Sequence, residues 1–68
     1  MARIICEAIV EEEATMKDVL KELSDIGVRS QVFRNYIYVD YQSDELMKIR
    51  DVKSVFHSLR NYRVKQTG

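Results

Sequence analysis

The chain opens with a segment, Arg3 to Val10, in which every second residue is small or apolar. β-Branched residues at a period of two predict a β-strand. The face predicted to be buried carries Ile4, Cys6, Ala8 and Val10. The opposite face carries Arg3, Ile5, Glu7 and Ile9. Because apolar residues occur on both faces, the pattern favours a central position in a sheet.

The period then changes to that of an amphipathic helix. Thr15 is the candidate N-cap, since Asp18 follows three residues later in the arrangement of a capping box. The predicted buried stripe is Met16, Val19, Leu20, Leu23 and Ile26. Gly27 is expected to end this helix in the left-handed conformation.

Val28 to Tyr41 is predicted to form a β-hairpin that turns at Arg34-Asn35. Asn35 is expected to take the positive φ of the turn, because asparagine tolerates it. A two-residue turn places Phe33 opposite Tyr36. The predicted core face is Val28, Ser30, Val32, Ile37, Val39 and Tyr41, and the other face is Arg29, Gln31, Phe33, Tyr36, Tyr38 and Asp40.

A second amphipathic helix is predicted to follow, with Ser43 as its N-cap and Asn61 at its end. Asp44 and Glu45 would lie in its first turn, where the helix dipole favours negative charge. Its predicted buried stripe is Leu46, Ile49, Val52, Val55, Phe56 and Leu59. Tyr62 to Gln66 alternates again and predicts a short last strand.

The predicted order is therefore βαββαβ, and residues 1–68 are expected to form a single domain. Right-handed crossovers place both helices on one face of a four-stranded antiparallel sheet. This is the ferredoxin-like α+β fold. The other face of the sheet is left open.

Composition excludes several classes of protein. The chain is 46% hydrophobic and 32% charged, which is typical of a folded globule rather than a disordered segment. One cysteine, Cys6, and one histidine, His57, suggest neither a disulfide nor a zinc site. No apolar run is long enough for a membrane span and the start does not resemble a signal peptide, so we expect a cytoplasmic protein. No catalytic motif occurs, and we expect no enzyme activity, cofactor or metal.

Charge is divided unevenly, although eleven basic and eleven acidic residues balance overall. Residues 1–27 carry a net charge of −4 and residues 28–68 a net charge of +4. Such asymmetry favours a phosphate-binding surface, or two halves that neutralise each other in the fold.

The open face combines aromatic, aliphatic and basic residues, a composition that indicates an interaction surface. Three kinds of partner fit it: a second copy of the chain, a single-stranded RNA or DNA that stacks on the rings, or another protein, as for an inhibitor module. The leading hypothesis is a small regulatory domain that binds RNA. The candidate contact residues are Tyr36, Tyr38, Phe33, Arg34, Arg29, Arg3, Ile5, Arg63 and Lys65.

The octet from Arg34 to Tyr41 resembles the RNP1 signature of RNA recognition motifs, K/R-G-F/Y-G/A-F-V-x-F/Y. Arg34, Tyr36, Val39 and Tyr41 match directly, and Tyr38 supplies an aromatic at the fifth position. The octet falls on the third predicted strand, where that family carries it. The resemblance implies that Arg34, Tyr36 and Tyr38 contact RNA. Ile5 replaces the aromatic of the companion motif on the first strand, so one stacking ring is missing.

Overall fold

The architecture is a four-stranded antiparallel sheet with two helices, and it confirms the ferredoxin-like α+β prediction. A computed structural model describes residues 1–67, so Gly68, the last residue of the predicted domain, lies outside the described residues. The sheet order is β2-β3-β1-β4. The elements are β1 (Ala2–Ile9), α1 (Glu13–Ile26), β2 (Gln31–Phe33), β3 (Tyr36–Ser43), α2 (Leu46–His57) and β4 (Asn61–Thr67).

The core lies between the helices and one face of the two central strands. As predicted, Ile4 and Cys6 of β1 and Ile37 and Val39 of β3 are fully buried. The helices contribute the fully buried residues Leu23, Ile49, Val52 and Phe56. Burial disfavours the charged form of a thiol and raises the pKa of Cys6 to about 11. No helix formed by residues 1–67 is long and apolar enough to cross a membrane.

Helix α1 ends at Gly27 in the predicted left-handed conformation, with φ of 84°. The Val28 N–H donates to the Leu23 carbonyl and the Gly27 N–H to the Ser24 carbonyl, both at 2.9 Å. These two bonds form a Schellman motif. Leu23 and Val28 are both buried, so the motif directs the chain from the helix back into the core.

The predicted N-caps of both helices are wrong. Helix α1 begins at Glu13, with Glu12 as N-cap, and the Thr15 hydroxyl instead donates to the Glu12 carboxylate at 3.3 Å. Ser43 is the last residue of β3, where it pairs with Ala2. Its hydroxyl accepts a hydrogen bond from the Glu45 N–H at 2.9 Å, and α2 follows with Glu45 as N-cap. Ser43 thus orders the turn before the helix rather than the first helical turn.

Helix α2 also ends earlier than predicted, at His57 rather than Asn61. The Ser58 hydroxyl donates to the Val55 carbonyl at 2.6 Å, and the Leu59 N–H donates to the Phe56 carbonyl at 3.0 Å. These tighter i→i−3 bonds terminate the helix. Asn61 is consequently free to begin β4, which confirms the last strand and extends it to Thr67.

Two apolar residues predicted for the core lie outside it. Val32 pairs with Ile37 and shares its face, but it is 44% exposed because β2 is a short edge strand. Leu46 is 60% exposed because the helix starts at this residue, before its stripe reaches the sheet. The remaining stripe of α2 is buried or partly buried as predicted.

Replacing Gly27 with alanine is expected to destabilise the fold by about 1 kcal/mol, because an L-residue with a Cβ strains the left-handed conformation. A Cβ at Gly27 would meet no atom within 4 Å, so the cost comes from the backbone alone. Gly27→Asn should cost less, since asparagine tolerates positive φ. Urea unfolding of the three proteins measures this order, and equal stabilities for Ala and Gly would contradict it.

A candidate binding face on the open side of the sheet

The hairpin between β2 and β3 turns at Arg34-Asn35 as predicted, and Phe33 lies opposite Tyr36. The positive φ of 56°, however, belongs to Arg34 and not to Asn35. The Asn35 carbonyl accepts a hydrogen bond from the Val10 N–H at 2.7 Å. That bond extends the ladder between β1 and β3 by one step, so the turn is tied to the centre of the sheet.

Cross-strand pairing arranges the open-face side chains in rows. Ile9 is opposite both Tyr36 on β3 and Asn61 on β4, so the first row runs Phe33, Tyr36, Ile9, Asn61. Phe33 is 72% exposed and Ile9 is 47% exposed. Neighbouring strands lie about 4.8 Å apart, so the side chains of Phe33, Tyr36 and Ile9 form one continuous apolar band. We call Phe33, Tyr36 and Ile9 the apolar row.

The second row centres on a carboxylate that sequence reasoning did not single out. Glu7 lies between Tyr38 and Arg63, which are its partners on β3 and β4. The Tyr36 hydroxyl donates a hydrogen bond to Glu7 Oε2, and Arg63 lies 3.7 Å from Glu7 Oε1. The hydrogen bond to Glu7 raises the pKa of the Tyr36 phenol above its ordinary value. Tyr36 is therefore held in one orientation by its hydroxyl while its ring remains partly exposed.

The end of the open face that is farther from the hairpin turn is dominated by an ion pair. Arg3 donates two hydrogen bonds to the Asp40 carboxylate, from Nε at 2.9 Å and from a terminal nitrogen at 2.7 Å. This bidentate geometry is the strong form of an arginine–carboxylate pair. These hydrogen bonds lower the pKa of the Asp40 carboxyl and raise the pKa of the Arg3 guanidinium. Ile5 lies beside this pair, between Asp40 and Lys65.

The two candidate arginines outside the ladder lie at opposite ends of the hairpin. Arg34 is in the turn, and its guanidinium carbon lies 5.6 Å from the centre of the Phe33 ring, within range of a cation–π interaction. Arg29 precedes β2 in the connection from α1 and pairs with no strand residue. Arg34 therefore lies beside the apolar row, whereas Arg29 is remote from it.

Three open-face residues with clear roles were absent from the predicted contact set: Glu7, Ile9 and Asp40. The hairpin turn sets the register of β2 on β3 but not that of β1 on either neighbour. Opposite charges on predicted neighbouring strands, Arg3 with Asp40 and Glu7 with Arg63, are the signal that would have found two of them.

A shallow groove of about 470 Å³ opens at the hairpin-turn end of the sheet. It lies between the β1–α1 and α2–β4 connections, and Ile9 and Asn61 are among the residues that line it. Glu12, Thr15 and Arg60 supply polar groups around it. Ile9 is the one residue that lines the groove and also belongs to the apolar row.

Within residues 1–67, no three or more His, Cys, Asp or Glu side chains come together in a way that could hold a metal ion. Comparison with known proteins finds no match to this chain among family models, curated proteins or solved structures.

Removing the guanidinium of Arg3 should return the pKa of Asp40 towards its ordinary value of 3.8. Because the folded-state pKa is depressed, the pair stabilises the fold above pH 3.8, and this contribution is lost as pH falls through the lower folded value. NMR titration of the Asp40 carboxyl in the wild type and in Arg3→Met measures the difference. Arg63→Met is the matched control, since Arg63 faces Glu7 instead, and an ordinary pKa in the wild type would refute the ion pair.

Proposed function

We propose that the open face binds single-stranded nucleic acid, with RNA as the leading candidate, in a small non-enzymatic regulatory domain. The observation that carries this proposal is the apolar row beside Arg34. Phe33 and Tyr36 are cross-strand neighbours with exposed rings, and a cation lies against the first of them. Bases stack on such rings with little dependence on sequence, for about 1–3 kcal/mol each.

The cations available to phosphates are fewer than composition suggests. Arg3 is engaged by Asp40 on two hydrogen bonds, and Arg29 lies away from the rings. The remaining basic groups are Arg34 at the hairpin turn, Lys65 on β4, and Arg63 on β4, which lies 3.7 Å from Glu7 but has a side chain that is 83% exposed. We place the backbone of the nucleic acid along these groups, with its bases over Tyr36, Tyr38 and Phe33.

The resemblance of the octet to RNP1 supports the same assignment. Tyr36 and Tyr38 lie on β3, a central strand, and face away from the helices because Ile37 and Val39 are buried beneath them. Two rings on alternate positions of a central strand are the arrangement by which RNA recognition motifs stack bases. Arg34 differs in one respect, because it lies in the turn rather than in the strand.

A second copy of the chain is the second candidate occupant of this face. The charges of the face are largely compensated within it, through Arg3 with Asp40 and Arg63 with Glu7. Two such faces could therefore meet with little net repulsion and bury both apolar rows.

Truncation of Tyr36 to alanine should weaken binding of a short mixed-sequence RNA by about tenfold to a hundredfold, because one stacking ring is lost. Fluorescence anisotropy with a labelled oligonucleotide measures this. Tyr36→Phe keeps the ring and removes the hydrogen bond to Glu7, so it should bind nearly as well as the wild type. Tyr62→Ala is the matched control, since Tyr62 is 42% exposed but projects from the opposite face.

Salt dependence and sedimentation separate the two candidates. Lys65→Gln should reduce the slope of log affinity against log salt by about 0.7, the value for one phosphate contact with a single strand. A wild type that binds no oligonucleotide, yet sediments as a dimer that Tyr36→Ala dissociates, would overturn the nucleic-acid proposal in favour of self-association.

A further inference from the structure

The outer edge of β4 is a second potential binding surface, separate from the apolar row. β4 is the last strand of the sheet and pairs only with β1. Among residues 1–67, no strand pairs with its outer side. It is seven residues long, whereas the opposite edge strand, β2, has three. A long free edge presents unpaired backbone N–H and C=O groups that an extended peptide can pair with.

The side chains along this edge carry one sign of charge. Arg63 and Lys65 project to the open face, and Arg60 lies just before the strand. The Arg63 side chain also lies 3.7 Å from Glu7, but it is 83% exposed and open to a second carboxylate. No acidic residue follows Asp51 in the chain. Cations at two alternate positions of the strand, Arg63 and Lys65, favour an incoming strand with acidic residues at the same spacing.

Self-pairing of this edge is disfavoured by the same charges. An antiparallel β4–β4 pair centred on Val64 would place Arg63 opposite Lys65 twice. A pair centred on Arg63 or on Lys65 would place that residue opposite its own copy. These are the registers that pair five or more residues, and like charges directly opposite each other are destabilising. The edge therefore selects against a second copy of this chain.

On the helix side of β4, the side chains of Tyr62 and Gln66 are held by contacts with α2. The Tyr62 ring lies 5.2 Å from the His57 ring, and Lys53 donates a hydrogen bond to the Gln66 side chain at 3.1 Å. Val64, between them, packs against the core and is only partly buried. An apolar side chain of an added strand would extend this core beside Val64.

We propose that the outer edge of β4 binds an extended peptide in which acidic residues alternate with apolar ones. The acidic side chains pair with Arg63 and Lys65 on the open-face side. The apolar residue between them packs beside Val64, and the backbone adds a fifth strand to the sheet. This site shares Arg63 and Lys65 with the proposed path of the nucleic-acid backbone, but the rings of Phe33 and Tyr36 take no part in it, so loss of a ring distinguishes the two proposals.

The test uses a fluorescein-labelled peptide of alternating Glu and Val with the full chain. We expect it to bind at least about tenfold more tightly than the corresponding peptide of alternating Lys and Val, since two opposite-charge pairs are replaced by two like-charge pairs. Two N-methylated versions of the peptide are compared, one methylated on the backbone nitrogens of the Glu residues and the other on those of the Val residues. These two sets of N–H groups point to opposite edges of the peptide strand. Only one version should lose binding, because only one edge of the peptide pairs with β4. Amide chemical-shift changes should concentrate in β4.

Charge reversal provides the matched variants. The double change Arg63→Glu with Lys65→Glu should invert the preference towards the Lys peptide, whereas Arg29→Glu, at a remote exposed arginine, should leave it unchanged. Tyr36→Ala should also leave peptide binding unchanged, which keeps this site distinct from the apolar row. Equal binding of the two N-methylated peptides would overturn the proposal. Amide chemical-shift changes centred on Phe33 and Tyr36 would overturn it as well.

Discussion

Burial of one face of β1 and β3 beneath the helices is the constraint on which the rest of the molecule depends. Side chains of a strand alternate between two faces, so burying Ile37 and Val39 forces Tyr36 and Tyr38 to the other side. A shift of one residue in the pairing of β3 would place both rings in the core and two aliphatic side chains in water. The open face is therefore a direct consequence of core formation.

The hydrogen-bonded charges of the open face divide it into two regions. Around Arg3 and Asp40 the polar groups already satisfy each other, and an incoming ligand would have to break a bidentate pair to use them. Around Phe33 and Arg34 the ring and the cation are exposed. A ligand would therefore break the fewest existing interactions at the hairpin-turn end, where the groove beside Ile9 also opens.

The fold was largely predictable from the sequence because its strongest signals are periodic and local. The two-residue turn set the register of the hairpin, and Gly27 marked the end of α1. The helix starts were less predictable, because Thr15 and Ser43 each bond to a nearby group other than the helical N–H groups. The engagement of Arg3 by Asp40 depends on the register of β1 against β3, which no local motif encodes. The binding activity of the face remains a prediction.

Cys6 lies at the centre of this arrangement, on β1 with β3 and β4 on either side. Its thiol is fully buried, and its raised pKa leaves almost none of it as the reactive thiolate at neutral pH. An alkylating reagent therefore reaches it only when the sheet separates from the helices. The rate at which the lone thiol is alkylated under native conditions therefore reports how often the domain opens. It can be measured without adding any probe to the chain.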